Sequence, residues 1–465
     1  MNPDSKPSAG AGAHPVSATV REKAAAGRRG FLWKLGLHRP ELRAWAMYDW
    51  ANSAFVTTIM TAVFPIYYAK VAGEGLPPGA AESRFTLSTT LGLAFIAVLS
   101  PLLGAVADFL PIKKRLVAVF LGIGLISVSL MYFIGPGDLL LASVLFIISS
   151  VAVNGSFVFY DAMLPHIAGE DEMDRVSTAG YALGYVGGGV LLALQLAWIT
   201  RPAAFGLAEG TLPARLAFLS VAVWWGLFSI PLFRRVPEPK IMLAARQESL
   251  SKLIRASFGQ LGATLGELRR YRDAFVMLLA FLVYNDGIGT IYRMATTYGY
   301  RIGIGESDLI LAIMVTQFVG VPCAFLFGML AARIGARTSI FLALAVYTGI
   351  SIGGFYMTTA RHFLLLALGV GMVQGGAQAL SRSLFASMIP RSQSGQFFGF
   401  FAVIEKFAGI MGPFVWWLVL QISGPSRLPI LSVIGFFVIG GVLLSFVNVP
   451  RGQQAAREAE AGMSS

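Results

Sequence analysis

Charge is scarce in this chain. Asp, Glu, Lys and Arg together make up 13% of its 465 residues, about half the share usual in a soluble domain. Cysteine is nearly absent: the single residue, Cys323, sits inside an apolar run, which excludes a disulfide framework and a Cys-based metal site. There are four histidines, and two of them, His14 and His38, precede the first apolar run. No HExxH, GxSxG or GxxxxGK[ST] occurs, so zinc peptidase, serine hydrolase and phosphate-loop ATPase chemistry have no residues to work with. Neither a metal nor a cofactor is implied, and an enzyme is not expected.

What is present is apolar. Hydrophobic residues make up 56% of the chain, in runs of roughly 20, the length a helix needs to cross a bilayer. Twelve spans are predicted, near 44–69, 86–109, 116–134, 139–164, 178–199, 214–233, 274–298, 308–332, 337–358, 361–388, 396–421 and 428–449. The expected division is a disordered basic tail (1–40), a six-helix bundle (41–233), a connection (234–273), a second six-helix bundle (274–450) and a disordered tail (451–465). The first 30 residues lack the apolar core of a signal peptide, so the tail is expected to stay on the chain. Within the connection, SLSKLIRASFGQLGATLGELRRYR carries Leu250, Leu253, Ile254, Phe258, Leu261, Leu265 and Leu268 at helical spacing between basic residues, the pattern of an amphipathic helix lying on a membrane surface.

The net charge of +12 could suggest nucleic acid, but its placement argues for membrane orientation. With the N-terminus inside, the tails and even-numbered connections hold roughly 26 of the basic residues, the odd-numbered connections about 7, and about 3 lie within spans. Lys113, Lys114 and Arg115 mark one inner connection. Both termini are therefore expected in the cytoplasm, with the basic residues against anionic lipid. The halves also echo each other: DAMLP, ending at Pro165, matches FASMIP, ending at Pro390. Two parallel six-helix repeats form a transporter architecture with its site between them.

Polar side chains inside spans are costly unless paired or hydrated, so their placement is informative. Asp49, Asn52, Ser53 and Thr57 share one face of the first span. Ser150, Asn154 and Asp161 share one face of the fourth. Asn285 and Asp286 lie deep in the seventh, followed by Gly287 and Gly289, which could loosen the helix there. Gln374, Gln378 and Arg382 share a face of the tenth. The third, sixth and ninth spans have no charged, Asn or Gln side chain in their interiors. This period of three predicts a wet cavity lined by helices one, four, seven and ten. Asp49, Asn52, Ser53, Asn154, Asn285, Asp286, Gln374 and Gln378 are the candidate substrate residues. Asp49, Asp108, Asp161, Asp286, Arg382, Glu405 and Lys406 are candidates for proton coupling or gating. Asp161 and Arg382 are read as matching positions able to pair. For Asp49 a second reading stands beside these, stabilisation of the helix N-terminus through the dipole.

Gly104-Ala-Val-Ala-Asp108 followed by Lys113–Lys114–Arg115 resembles the GxxxD-basic motif of the major facilitator superfamily, though Phe109 and Pro111 depart from it and Ala332 replaces the acid in the second copy. The resemblance implies that Asp108 gates the inner ends of the helices. RAWAMYDWANSAFVTTIMTAVFPIYY, FYDAMLPHIA, DRVSTAGYALGYVGGG and GGAQALSRSLFASMIPRSQSGQFFGFF look like the branch named for the fungal autophagy-related vacuolar effluxer. This implies an all-α membrane protein of twelve transmembrane helices in two pseudo-symmetric bundles. It also implies secondary transport of a small solute by alternating access, with amino-acid efflux as the fungal activity; independently of the resemblance, Asp49 or Asp286 is expected to carry a coupling proton. The expected partners are that solute, protons and membrane lipid, with no nucleic acid, in a monomer of the bacterial inner membrane. A transporter-like receptor without net transport stays open as the alternative.

Overall fold

The computed structural model describes residues 31–109, 112–168, 170–238, 259, 262–390, 397, 400–401, 407 and 409–464. Every regular element among them is helical. In chain order the long helices are α1 Pro40–Ala72, α2 Ala80–Phe109, α3 Lys113–Leu130, α4 Leu139–Asp161, α5 Glu170–Thr200, α6 Leu212–Arg235, α7 Arg272–Arg301, α8 Glu306–Ile334, α9 Ala336–Tyr356, α10 Ala360–Ala386, α11 Met411–Ser423, α12 Leu428–Ser445 and α13 Val449–Ser464. Ten of the described helices are long and apolar enough to cross a membrane. Only helices satisfy every backbone group without water, which is why apolar runs of this length take that form.

The helices pair in the same way in each half. α1 packs on α6 as α7 packs on α12; α2–α4 matches α8–α10, and α3–α6 matches α9–α12. The halves meet through α5–α8 and α2–α11. α1 and α7 expose no large apolar side chain, whereas α3 exposes Val119, Ile123, Ile126 and Leu130 at helical spacing, and α12 exposes Val438, Ile439 and Val442. Stripes of that kind would be penalised in water and suit hydrocarbon.

Glycine sets a close contact between α1 and α5. Gly180, Gly184, Gly187 and Gly188 of α5 recur on one face, and a Cβ at each would lie 2.3 Å from Asp49 Oδ2, 2.5 Å from Ser53 Oγ, 2.6 Å from the Trp50 carbonyl and 2.7 Å from Thr57 Cγ2. The run GYALGYVGGG is thus a seam on which α1 lies, the use membrane helices make of small residues.

Two expectations change. α7 runs unbroken through Gly287 and Gly289; Gly287 instead admits Phe436 and Phe437 of α12. The loosened helix is α1, which widens to π geometry at Val56–Ala62 and again at Tyr68–Ala72. The C-terminal residues, expected to be disordered, form α13. Its Arg451 holds Asp273 at the start of α7 through two bonds of 2.7 and 2.8 Å. The QQAAREAEA segment is also rich in strong helix formers. Of the expected surface helix in the connection, residues 262–268 are helical; residues 239–258 lie outside the described residues.

Candidate functional site

In the N-terminal half, Asp49 meets α4. The Tyr160 hydroxyl lies within donating reach of Asp49 Oδ2 (2.9 Å) and the Trp45 carbonyl (3.1 Å). The Trp45 ring stacks on Tyr160 at 4.4 Å, and its indole N–H donates to the Tyr160 carbonyl. Asp49 stands about two and a half turns beyond Pro40, because α1 begins earlier than its hydropathy suggests. A dipole role at the helix N-terminus is therefore excluded, since that effect fades within the first turn.

The rest of the polar face of α1 divides. Ser53 and Thr57 point into the α5 seam, Thr57 within 3.4 Å of the Gly188 carbonyl. Asn52 is 2% exposed, and its Nδ2 has no hydrogen-bond partner. On α4, Asn154 donates to the Ser150 carbonyl of its own helix at 2.8 Å and is half-buried.

In the C-terminal half, Gln378 Nε2 of α10 lies 3.5 Å from Asn285 Oδ1 of α7, with Gln374 one turn away and half-buried. Asp286 turns from this pair toward α11. Its Oδ1 accepts the Gly412 N–H at 2.9 Å. The chain reaches α11 through Gly409 at φ +113°, a conformation that favours glycine. A Cβ at Gly412 would lie 1.8 Å from Thr290 Oγ1. Asp286, a buried acid, thus serves the first turn of a neighbouring helix, the role an N-cap side chain plays within one chain segment.

Asp161 is exposed at the end of α4 and Arg382 is half-buried in α10. They are not matching positions. The Tyr48–Ser156 bond (2.8 Å) of α1–α4 has its counterpart in Tyr284–Ser381 of α7–α10, so Arg382 corresponds to Phe157, and Asp161 to Ala386. Asp108 falls in the last turn of α2, with its side chain outside the described residues, as are Glu405 and Lys406 altogether.

Sequence reasoning missed the contacts that join the halves. Glu82 of α2 forms a buried ion pair with Arg301 of α7, and its other oxygen accepts the Trp416 indole N–H of α11 at 2.8 Å. Lys70 pairs with Glu306, Gln421 bonds Ser83, and Thr296 of α7 donates to the Thr61 carbonyl in the π segment of α1 at 2.6 Å. All lie toward the end of the bundle away from the chain termini. At the terminal end, bonds within a half join Arg39 to the Ile167 carbonyl, Lys114 to the Phe233 and Val236 carbonyls, and Arg337 to the Ser445 carbonyl. The bundle is closed at its distal end. A cavity of about 60 Å³ lies inside the C-terminal half, lined by Tyr292, Tyr298, Thr316, Phe363 and Trp416 among others. It is almost wholly apolar and touches none of the expected polar residues.

Comparison with known proteins gives these features a setting. Residues 79–457 match the family described as vacuole effluxer Atg22 like. The uncharacterised MFS-type transporter YxiO of Bacillus subtilis is 37% identical over 407 residues, covering 87% of this chain and 94% of that protein. The autophagy-related protein 22-1 of Penicillium rubens is 22% identical, covering 90% and 91%. Among solved structures, a D-xylose-proton symporter superposes with a TM-score of 0.65 at 11% identity, covering 91% of this chain and 99% of the other. The xylose transporter XylE from E. coli, in an inward-open conformation, does so at 0.57 and 13%, covering 88% and 94%. At such identities the likeness is one of fold, the twelve-helix major facilitator fold.

Proposed function

The chain belongs to the Atg22-like vacuole effluxer family, a multi-pass membrane transporter of the major facilitator type and not an enzyme, and from that premise we propose that it exports amino acids by alternating access coupled to protons. The distal closure carries this reading: two halves joined at one end by Glu82–Arg301, Lys70–Glu306 and Thr296–Thr61 form one of the two states that alternating access requires. Asn285, Gln374 and Gln378 of the C-terminal half, and Asn154 of the N-terminal half, supply uncharged hydrogen-bonding groups for a solute between the halves. Asp49 is the better proton carrier of the two deep acids, because the Asp286 carboxylate is engaged by α11. The basic residues of the terminal side support an inner-membrane protein with both termini cytoplasmic, so that the closed end faces outward. The protein acts as a monomer, each chain containing its own pair of halves.

The test is counterflow in proteoliposomes loaded with a panel of amino acids, with and without a pH gradient. Gradient-dependent flux of at least one member is expected. A broad metabolite panel that stabilises the protein without any flux would replace transport with a receptor function.

A further inference from the structure

Arg293 is a charged residue inside α7 whose cost in the membrane no hydrogen bond or ion pair among the described residues offsets. It lies inside the helix, between Thr290 and Thr296, which are both fully buried. Among the described residues its guanidinium has neither a hydrogen bond nor a carboxylate within ion-pair distance. Nη1 is sealed from solvent and has no partner, although the side chain as a whole is only half-buried. Asp286, two turns back on the same face, is close enough for its charge to be felt, but its carboxylate is bound to the start of α11.

The surroundings make room for this group. A Cβ at Gly289 would lie 2.7 Å from Nη1, and one at Gly409 3.1 Å from it. Asn285, Gly289, Tyr292 and Arg293 recur at i, i+4, i+7 and i+8, and all four are half-buried. One turn further, Thr296 is sealed against Thr61 of the other half. Arg293 therefore sits at the blind end of the open face of α7, just below the distal closure.

An arginine is the side chain best shaped to hold a carboxylate through two parallel bonds. An unpaired charge in this position is expensive unless a ligand completes it. We propose that Arg293 binds the carboxylate of the transported solute. This rests on the transporter reading above and assigns the group of the solute, its carboxylate, to a residue of the chain.

Two measurements on the purified full-length chain test it. The first needs no ligand: Arg293→Met should raise the melting temperature by a few degrees, since it removes an unpaired buried charge and keeps the volume. A fall of similar size would make Arg293 a structural counter-ion of Asp286 and overturn the proposal. The second compares thermal stabilisation by three equimolar pools: neutral amino acids, their amides, and short mono- and dicarboxylates. At least one carboxylate pool should stabilise the wild type and the amides should not. Arg293→Gln should weaken the response about tenfold or more, with Arg293→Lys in between. Equal stabilisation by the amides, an undiminished response in Arg293→Gln, or no response to any carboxylate would overturn it. Undiminished flux of a carboxylate-free solute through Arg293→Gln would sink this inference and leave transport standing. Carboxylate binding without flux of any solute would do the reverse.

Discussion

Glu82→Gln should open the distal end. In the closed state the side chains of Glu82 and Arg301 are 2% and 9% exposed. The amide keeps the shape and an oxygen to accept the Trp416 N–H, but it leaves the Arg301 guanidinium buried with no anion. Its Nη2 already lacks a partner, and the Tyr298 ring 5.2 Å away is a weak substitute. Removing one member of a buried pair costs about 3–5 kcal/mol. In a distal-open state both residues meet water, where the pair contributes at most about 1 kcal/mol. The difference, about 2–4 kcal/mol, shifts the equilibrium toward the open state by about thirty-fold to several hundred-fold. Thr61 is fully buried at the closure and reports on it. Thr61→Cys, in a Cys323→Ala background, should react with an impermeant maleimide slowly from the distal side. Adding Glu82→Gln should raise that rate at least about tenfold. Equal rates in the two proteins would refute the claim that this pair holds the closure.

Other outcomes follow from individual contacts. Gly412→Ala should cost about 1–3 kcal/mol through overpacking, because its Cβ would lie 1.8 Å from Thr290 Oγ1, whereas Gly435→Ala, with nothing within 4 Å, should be neutral or stabilising; melting temperatures decide it. Asp286→Asn keeps an acceptor for the Gly412 N–H and should hold stability, while Asp286→Ala should lose about 1 kcal/mol with the cap. If Asp286→Asn nevertheless stops proton-coupled flux, its charge has a second role and Asp49 is not the sole carrier. Tyr160→Phe removes the donor to Asp49 and should cost about 1 kcal/mol; with Asp49 as the coupling acid, the pH profile of flux moves, and an unmoved profile removes Asp49 from coupling.

The fold was legible because lipid imposes a strict length on apolar runs and leaves the helix as the default solution. The partners of each polar residue were not, because they come from other helices. Glu82 and Arg301 read as loop charges near span ends, yet they meet across the halves. Arg293 lies within the predicted seventh span, and an intramembrane cation is a signal of function that the sequence carries on its own. Asp286 was noticed for its depth; depth gave no hint that Gly409 and Gly412 bring the start of another helix against it. Gly180, Gly184, Gly187 and Gly188 recur at helical spacing in the sequence, but nothing local names α1 as the helix that lies on them.

The two halves keep one scaffold and part at the residues beside it. Tyr48–Ser156 and Tyr284–Ser381 tie the first and fourth helix of each half in the same way. The next residue is Asp49 in one half and Asn285 in the other. The aromatic that follows the serine by one turn is Tyr160, in reach of Asp49, in one half and Phe385, which has no hydroxyl, in the other. The N-terminal half thus presents an acid, and the C-terminal half presents amides and, nearer the closure, Arg293. On the proposed reading, a solute held between them would meet opposite charges on opposite sides, which suits a dipolar molecule better than a uniformly charged or apolar one. Because the differences lie beside the scaffold bonds and not in them, exchanging Asp49 with Asn285 should change which solutes bind before it changes whether the protein folds. Loss of folding in that exchange would mean that the acid belongs to the scaffold.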